Sequence, residues 1–207
     1  MKGFSEHFVS NEELPDLSSA AVLIVDMLND FCCAGGKMPL KGGSDIVPSI
    51  VALSNAARKK GLQVIYVNDN HRSDRYDREF EKREPHCIDG TWGAEVLDEL
   101  NPQEGDLSIK KRRFSGFFQT DLDLILRELD VKTVIVTGVV TNICVRSTCH
   151  DAFFLGYNVI VPRDCVCATA PREQESSLWD IETHFGSVTD SRTLIGLIEE
   201  LDGTRSE

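Results

Sequence analysis

The sequence has no excess of positive charge and no long apolar segment. Of its 207 residues, 34 are acidic and 22 are lysine or arginine, so the formal net charge is −12. Nucleic-acid-binding proteins usually carry a basic surface, so this balance argues against nucleic acid as a partner. No apolar run approaches the roughly 20 residues of a membrane helix, and we expect no membrane span. The first residues, MKGFSEHFVSNEELPDL, carry charges where a signal peptide has an apolar stretch, which predicts no secretion signal.

The sequence also lacks the pattern of a disulfide framework. The seven cysteines are odd in number and lie within apparent strands and helices. A chain of this length can build a sufficient core without such crosslinks. This pattern predicts a reducing, cytoplasmic location. The adjacent Cys32 and Cys33 have no C-x-x-C partner, so we interpret them as packing residues rather than as a redox or metal motif.

Short apolar strands alternate with helical stretches along the chain. The run AAVLIVD (20–26) is continuously apolar, as in a strand that is buried on both faces. The pattern predicts strands at 20–26, 62–68, 106–110, 132–140, 157–162 and 186–190. It predicts helices at 44–60, 91–100, 120–129, 142–155, 171–184 and 191–201, and a solvated loop or short helix at 69–90.

This alternation predicts an α/β fold of three layers. We expect a mostly parallel, doubly wound sheet of six strands between two layers of helices. No internal repeat, low-complexity segment or linker interrupts the pattern. We therefore expect a single domain over residues 1–207, with its core at about 19–201.

Three of the predicted strand ends carry a reactive side chain. Asp26 ends the first strand, Lys110 and Lys111 end the third, and Cys144 lies just beyond the fourth. In such sheets, ligands bind at the carboxyl ends of the strands. Strand alternation places Lys111 on the same, apolar side as Ile109. We therefore expect Lys111, rather than Lys110, to enter a buried site.

Cys144 occupies the predicted start of a helix, where N–H groups and a partial positive charge stabilise a thiolate. We therefore expect a lowered thiol pKa and a nucleophilic thiolate. The same backbone N–H groups would hold the oxyanion that forms when the thiolate attacks a carbonyl. A nearby aspartate would accept the thiol proton. His150 lies six residues further along, about 240° around the helix axis, so it does not serve as the base. Taken alone, Cys144 is equally explained as a small buried apolar residue.

Four ordered blocks of the sequence resemble the isochorismatase-like cysteine hydrolases, which include nicotinamidases, N-carbamoylsarcosine amidases and ureidoacrylate amidases. The blocks are VLIVDMLNDF, HCIDGTWGAE, KKRRFSGFFQTDLD and TGVVTNICVRSTCHDAF. The resemblance extends over about residues 19–190. It implies the isochorismatase-like fold and a catalytic triad of Asp26, Lys111 and Cys144. It also implies a cis peptide bond between Val139 and Val140 that turns backbone N–H groups toward the oxyanion.

The activity that the resemblance implies is hydrolysis of a small amide or carbamoyl C–N bond through a thioester on Cys144. That chemistry requires no cofactor. Two other functions stay open. One is cleavage of a vinyl ether, as in isochorismatases, where the aspartate acts as an acid and the thiol is dispensable; the other is a non-catalytic binding module in which Cys144 senses redox state. The family also implies a small-molecule amide substrate and a homodimer or homotetramer.

A metal site is one interpretation of three further residues. Asp69, His71 and His86 resemble the Asp-x-His and the later histidine of the nicotinamidase branch, where a metal binds the pyridine nitrogen of the substrate. A carboxylate with two imidazoles suits zinc, iron or manganese. Asn70 departs from that branch, which has an aromatic residue at this position. The alternative interpretation is that these side chains are hydrogen-bonded loop residues or substrate contacts.

Several other side chains lie in blocks near the predicted site. The aromatic ones are expected to line the substrate pocket or to pack in the core: Phe31, Trp92, Phe114 and Phe117. Arg113 and Arg146 are candidates for recognising a substrate carboxylate, because a guanidinium binds a carboxylate in bidentate fashion.

Overall fold

One sheet of seven parallel strands runs through the computed structural model, which describes residues 13–202. The strands are β1 (Ala20–Val25), β2 (Gln63–Asp69), β3 (Leu107–Lys111), β4 (Thr133–Val139), β5 (Asn158–Pro162), β6 (Val166–Cys167) and β7 (Ser187–Thr189). Their order is β3-β2-β1-β4-β5-β7, and β6 pairs with the end of β4. The predicted parallel, doubly wound sheet is confirmed.

The winding of the chain reverses between β1 and β4. From β1 the chain continues to β2 and β3 on one side of the sheet, and then returns to β4 and continues to β5 and β7 on the other side. Loops that leave β1 and β4 therefore diverge, and such a switch point is where ligands bind in open α/β sheets. All six residues of β1 are buried, as its continuous apolar run predicts.

Helices cover both faces of the sheet. They are α1 (Asn29–Cys32), α2 (Val47–Lys59), α3 (Leu122–Glu128), α4 (Arg146–Phe154), α5 (Pro171–Asp180) and α6 (Ser191–Glu199). Val22 and Ile24 of β1 belong to the apolar cluster that contains residues of α2 and α6. Leu23 and Val25 belong to the cluster on the opposite face, with residues of α3 and α4. Because alternate residues of one strand enter separate cores, the predicted three-layer architecture is confirmed.

The predicted number of six strands is wrong by one. The additional strand, β6, has only two residues and follows a 3₁₀ turn at Arg163–Cys165. It pairs with Gly138 and Val139 of β4. A strand this short shows no alternation of apolar and polar residues, so the sequence pattern does not reveal it.

The predicted helix over 91–100 is also wrong. This segment contains two short 3₁₀ turns, Trp92–Ala94 and Asp98–Leu100. Between them, Val96 forms an antiparallel bridge with Leu28. The N–H of Leu97 donates to the carbonyl of Met27 at 3.1 Å. Because these backbone groups pair with the segment after β1, they are not available for a continuous helix.

Within residues 13–202, no helix is both long enough and apolar enough to cross a membrane. Residues 1–12 and 203–207, which the prediction of one domain over 1–207 includes, lie outside the described residues. The expectation of no secretion signal concerns the same N-terminal segment and stays a prediction.

Candidate active site

Four ionisable side chains lie at or just beyond the carboxyl ends of four adjacent strands. Asp26 follows β1, Asp69 ends β2, Lys111 ends β3, and Cys144 follows β4. Asp69 and Lys111 are direct partners in the pairing of β2 with β3. The sequence positions are up to 118 residues apart, and the order β3-β2-β1-β4 brings them to one edge of the sheet.

Lys111 is the centre of this group. Its Nζ is 2.8 Å from Asp26 Oδ2 and 3.7 Å from Asp69 Oδ1, and it donates to Cys144 Sγ at 3.7 Å. Its side chain is completely buried, at 0% exposure. Lys110, by contrast, is exposed and pairs with Asp89. The ammonium that reaches the buried group is therefore that of Lys111, the one expected from strand alternation.

Asp26 adopts a left-handed backbone conformation, with φ of 51°. This conformation is disfavoured for residues other than glycine, and hydrogen bonds on both sides hold it. The N–H of Asp26 donates to the carbonyl of Val67 at 3.1 Å, and the N–H of Leu28 donates to the carbonyl of Asp26 at 2.8 Å. The N–H of Asp69 donates to Asp26 Oδ1 at 2.6 Å. The other oxygen, Oδ2, is thereby left for the ion pair with Lys111.

The end of β4 passes very close to β1. Gly138 has a φ of +99°, and a Cβ at this position would collide with the carbonyl oxygen of Val25. Only glycine combines this conformation with this approach. The next peptide bond, Val139–Val140, is cis. A π-helical turn, Thr141–Val145, then carries Cys144 into α4.

Burial determines the protonation state of the thiol. It raises the pKa of Cys144 well above the usual value of a cysteine; Lys111 opposes the shift, but Asp26 and Asp69 add to it. The expectation of a lowered pKa is therefore wrong. The physical reason is that burial and two nearby carboxylates outweigh one ammonium. Cys144 also lies within the π-helical turn rather than at its first residue.

The neighbouring carboxyl is suited to receive the thiol proton. Burial raises the pKa of Asp26 to about 6, against the lowering effect of Lys111. Desolvation would lower the pKa of Lys111, but Asp26 and Asp69 hold it well above its usual value. At neutral pH the site therefore contains a neutral thiol, a charged ammonium and an ionised Asp26. A base whose pKa lies near the working pH can both accept and return a proton.

A second cluster adjoins Lys111. Among the described residues, Asp69, His71, Glu79 and His86 each offer one ligand atom, and these atoms lie within 4.8 Å of one another. Asp69 Oδ2 is 3.1 Å from His71 Nε2 and 3.4 Å from His86 Nε2. Glu79 Oε2 is 3.9 Å from His71 Nε2. Because Oδ1 of Asp69 faces Lys111, this carboxylate belongs to both clusters.

The geometry of these residues fits a divalent metal ion. His71 Nδ1 lies 2.8 Å from an Asp77 oxygen, and His86 Nδ1 lies 2.7 Å from the carbonyl of Glu84. Metal-binding histidines are usually oriented by such an acceptor on the far ring nitrogen. Both Nε2 atoms are thus left as ligand atoms, and two imidazoles with two carboxylates suit zinc, iron or manganese.

Glu79 is absent from the ligands predicted from the sequence. It lies on the 3₁₀ turn Arg78–Glu81, within the polar segment 69–90. Nearly every neighbour in that segment is ionisable, so no sequence signal distinguishes Glu79 from the exposed Glu81. Burial raises the pKa of Glu79, and Asp69 adds to the shift.

The aromatic side chains expected near the site occupy different environments. Phe31 is buried, and its ring centroid lies 5.4 Å from that of His86. Trp92 and Phe114 are about half exposed, at 51% and 44%. Phe31 therefore supports the histidine cluster directly, whereas Trp92 and Phe114 have surface that a ligand or another chain can cover.

The rings of Phe117 and His150 have partners within the chain. Phe117 is buried and stacks on Tyr157, with 5.8 Å between centroids. Core packing accounts for this position without a ligand. His150 stacks on Phe185 at 3.9 Å between centroids. Among the described residues, it forms no hydrogen bond with Cys144.

Both arginines considered for carboxylate recognition form ion pairs within the chain. Arg113 Nη1 lies 3.3 Å from Asp77 Oδ1. Arg146 Nη2 lies 2.9 Å from Asp180 Oδ2. Each arginine side chain is partly exposed, at 42% and 41%, so a substrate carboxylate would compete with an existing partner.

The sequence and the fold are similar to those of known proteins. The Isochorismatase domain model matches residues 20–193. The ureidoacrylate amidohydrolase RutB of Yersinia enterocolitica is 34% identical in an alignment that covers 87% of this chain and 90% of that protein.

Solved structures show the same similarity. A cysteine hydrolase from Pseudomonas syringae pv. phaseolicola superposes with a TM-score of 0.87 and 33% identity, covering 93% of this chain and 98% of that one. A pyrazinamidase of Pyrococcus horikoshii, solved in complex with zinc, gives a TM-score of 0.78 at 31% identity, covering 83% of this chain and 99% of that one. The family resemblance and the hydrolase class predicted from the sequence are confirmed by these matches. The chain belongs to the isochorismatase family.

Proposed function

We propose that this protein is a cysteine amidohydrolase that cleaves a C–N bond in a small, non-peptide amide or carbamoyl compound. The observation that carries the proposal is the position of Lys111 Nζ, which lies 2.8 Å from Asp26 Oδ2 and 3.7 Å from Cys144 Sγ. A nucleophile, a base and a cation thus meet in a buried space at the switch point of the sheet. The similarity to an enzyme named ureidoacrylate amidohydrolase supports the same chemistry.

Asp26 would act as the proton carrier. Because the pKa of the buried thiol is raised, the Sγ–H bond breaks only as Sγ attacks the carbonyl carbon, and the proton passes to the ionised Asp26. Asp26 then donates that proton to the leaving nitrogen, and ammonia or an amine departs. The remaining thioester on Cys144 is hydrolysed by water, which Asp26 deprotonates, and the thiol is regenerated.

Lys111 and the backbone would stabilise the charges that form. The ammonium lies between the thiol and two carboxylates, so it stabilises negative charge on Sγ and on Asp26 during the proton transfer. We assign the oxyanion of the tetrahedral intermediate to backbone N–H groups near Val140 and Cys144. In a water-poor site such donors contribute more than they would in bulk water.

We further propose that Asp69, His71, Glu79 and His86 hold a divalent cation, which would be zinc, iron or manganese. Such an ion supplies Lewis acidity and a fixed point for orienting a substrate when it is bound. Without it, Asp69 and Asp77 raise the pKa of His71 to about 9, although burial acts in the opposite direction. Metal uptake would therefore displace a proton from the cluster.

The substrate is expected to be small, with an amide or carbamoyl group. We propose that the substrate contacts Phe31, Trp92 and Phe114. The position of Phe117 is already explained by its packing on Tyr157. The test is a panel of nicotinamide, ureidoacrylate, N-carbamoyl amino acids and maleamate, assayed for ammonia release. Ammonia from at least one of these, but not from the Cys144→Ala variant, supports the proposal. Absence of ammonia across the panel, with the protein folded and loaded with metal, would contradict it.

We also propose that the protein is a homodimer or homotetramer. Phe153 and Phe154 contact each other, with 5.9 Å between ring centroids, and are exposed at 45% and 71%. Trp179 is also exposed, at 56%, and exposed apolar patches are typical of association sites. Multi-angle light scattering tests this directly. A monomer at micromolar concentration would contradict it, without bearing on the chemistry.

A further inference from the structure

The short helix α1 holds the segment that carries His86. The side chain of Asn29 donates to the carbonyl of Trp92 at 2.9 Å, and Phe31 packs on the His86 ring. Between them, Asp30 is buried at 5% exposure. Its Oδ2 accepts the N–H of Cys87 at 2.7 Å. The residue that follows His86 is therefore fixed by a carboxylate from α1.

Both carboxylate oxygens of Asp30 have a structural partner. Oδ1 accepts the N–H of Lys37 at 3.0 Å. A Cβ on Gly93 would collide with the carboxylate, so the loop after His86 packs directly against Asp30. Among the described residues, Asp30 forms no hydrogen bond or ion pair with Cys144 or with Lys111. The chemistry proposed above does not use this buried carboxylate.

The residue that Asp30 holds has an unusual backbone. Cys87 is completely buried and has a φ of 46°, a conformation that residues with a side chain rarely adopt. Its N–H is bound by Asp30, and its carbonyl accepts the N–H of His71 at 2.9 Å. The backbone of this one residue therefore links the two histidines: Cys87 follows His86 directly, and its carbonyl binds the N–H of His71.

We propose that Asp30 is a positioning residue for the candidate metal site, which consists of Asp69, His71, Glu79 and His86. By holding Cys87 in the left-handed conformation, it places Nε2 of His86 beside Asp69 and fixes the backbone of His71. The proposal rests on the metal part of the proposed function. Glycine adopts the left-handed conformation without strain, so Cys87→Gly should partly replace what Asp30 does.

The test is a Co²⁺ titration of the metal-stripped, full-length protein, with the dissociation constant and the visible absorption spectrum as readouts. The variants are Asp30→Ala and Asp30→Ala combined with Cys87→Gly. The matched control is Asp164→Ala, because Asp164 also accepts a backbone N–H, that of Ser191 at 2.8 Å, and is not part of the cluster. Thermal unfolding is measured for each protein.

Asp30→Ala is expected to weaken Co²⁺ binding by roughly 10-fold to 100-fold, as for other groups that orient metal ligands, and to change the spectrum. Adding Cys87→Gly should restore much of the affinity without restoring thermal stability. Asp164→Ala should lower thermal stability and leave Co²⁺ affinity and spectrum unchanged. If Asp30→Ala does not fold, Asp30→Asn, with and without Cys87→Gly, serves for the same comparison.

Two results would overturn this proposal alone and leave the metal site intact. One is native Co²⁺ affinity and spectrum in a folded Asp30 variant. The other is no recovery of Co²⁺ affinity on adding Cys87→Gly. A native protein that binds no Co²⁺ would overturn the metal part of the proposed function and this proposal with it. The amidase chemistry at Cys144 would stand in each of these cases.

Discussion

Lys111 and Asp26 come from strands that are not neighbours, yet Nζ and Oδ2 are 2.8 Å apart. β2 lies between the two strands, and the long lysine side chain reaches across its end. The same ammonium faces Asp69 Oδ1 at 3.7 Å. One buried ammonium therefore lies beside two buried carboxylates, and its removal should affect both stability and catalysis.

Lys111→Met should lower the free energy of unfolding by about 3–5 kcal/mol at neutral pH, the usual cost of leaving buried charge uncompensated. The loss should be smaller at acid pH, because protonation of Asp26 removes one of the two charges. Chemical denaturation at several pH values measures this. The control is Lys110→Met, since Lys110 is exposed, and a change within about 0.5 kcal/mol is expected. Equal losses for both variants would contradict the account.

Amide hydrolysis should depend on the ionisation of Asp26. Because burial raises the pKa of this carboxyl to about 6, kcat/KM should fall as the pH decreases through that region. The sign follows from the role of Asp26, since a protonated carboxyl cannot accept the thiol proton. The measurement is kcat/KM against pH with an uncharged substrate. A profile without an inflection near that pH, in protein that remains folded, would argue against Asp26 as the base.

Cys144→Ala should lower kcat for amide hydrolysis by roughly 10⁴-fold or more, the scale seen when a covalent nucleophile is removed. The fold should persist, because the thiol is small and its hydrogen bond with Lys111 is long, at 3.7 Å. Cys149→Ala is the matched control, since Cys149 is another buried cysteine, on α4. If the protein cleaves vinyl ethers such as isochorismate instead, that activity should survive in Cys144→Ala, which separates the two functions.

His71→Ala and His86→Ala should each abolish stoichiometric zinc binding, because either change removes one of two imidazole ligands. Glu79→Gln should weaken binding less, since Glu79 Oε2 is the more distant partner of His71 at 3.9 Å. Elemental analysis after dialysis measures the metal content. His150→Ala is the control and should retain the metal. Full occupancy in His71→Ala would place any bound metal elsewhere.

The sequence predicts most of the fold because its strands are long and continuously apolar. β1 and β4 are buried along their whole length, and such runs have few alternative structures. The failures occur where tertiary contacts decide the local structure. The segment Trp92–Leu100 has helical spacing, but its backbone pairs with the chain after β1. The two residues of β6 are strand only because the end of β4 lies beside them.

Some features of the candidate site follow from strand order, and others need coordinates. Alternation along β3 is sufficient to choose Lys111 over Lys110 as the buried lysine. Sequence alone does not give the direction of the Cys144 pKa shift. A helix start favours the thiolate, whereas burial and two carboxylates oppose it. Only the distances between these groups decide which effect is larger. Glu79 could not be identified within a segment rich in charged residues.

The most direct test of the central claim is mass spectrometry of the protein, quenched with acid during turnover of an amide substrate. The account predicts a mass increase equal to the acyl or carbamoyl group, located by peptide mapping on Cys144 and absent from Cys144→Ala. Continued turnover with an unmodified Cys144, or an adduct on another residue that survives in Cys144→Ala, would contradict it.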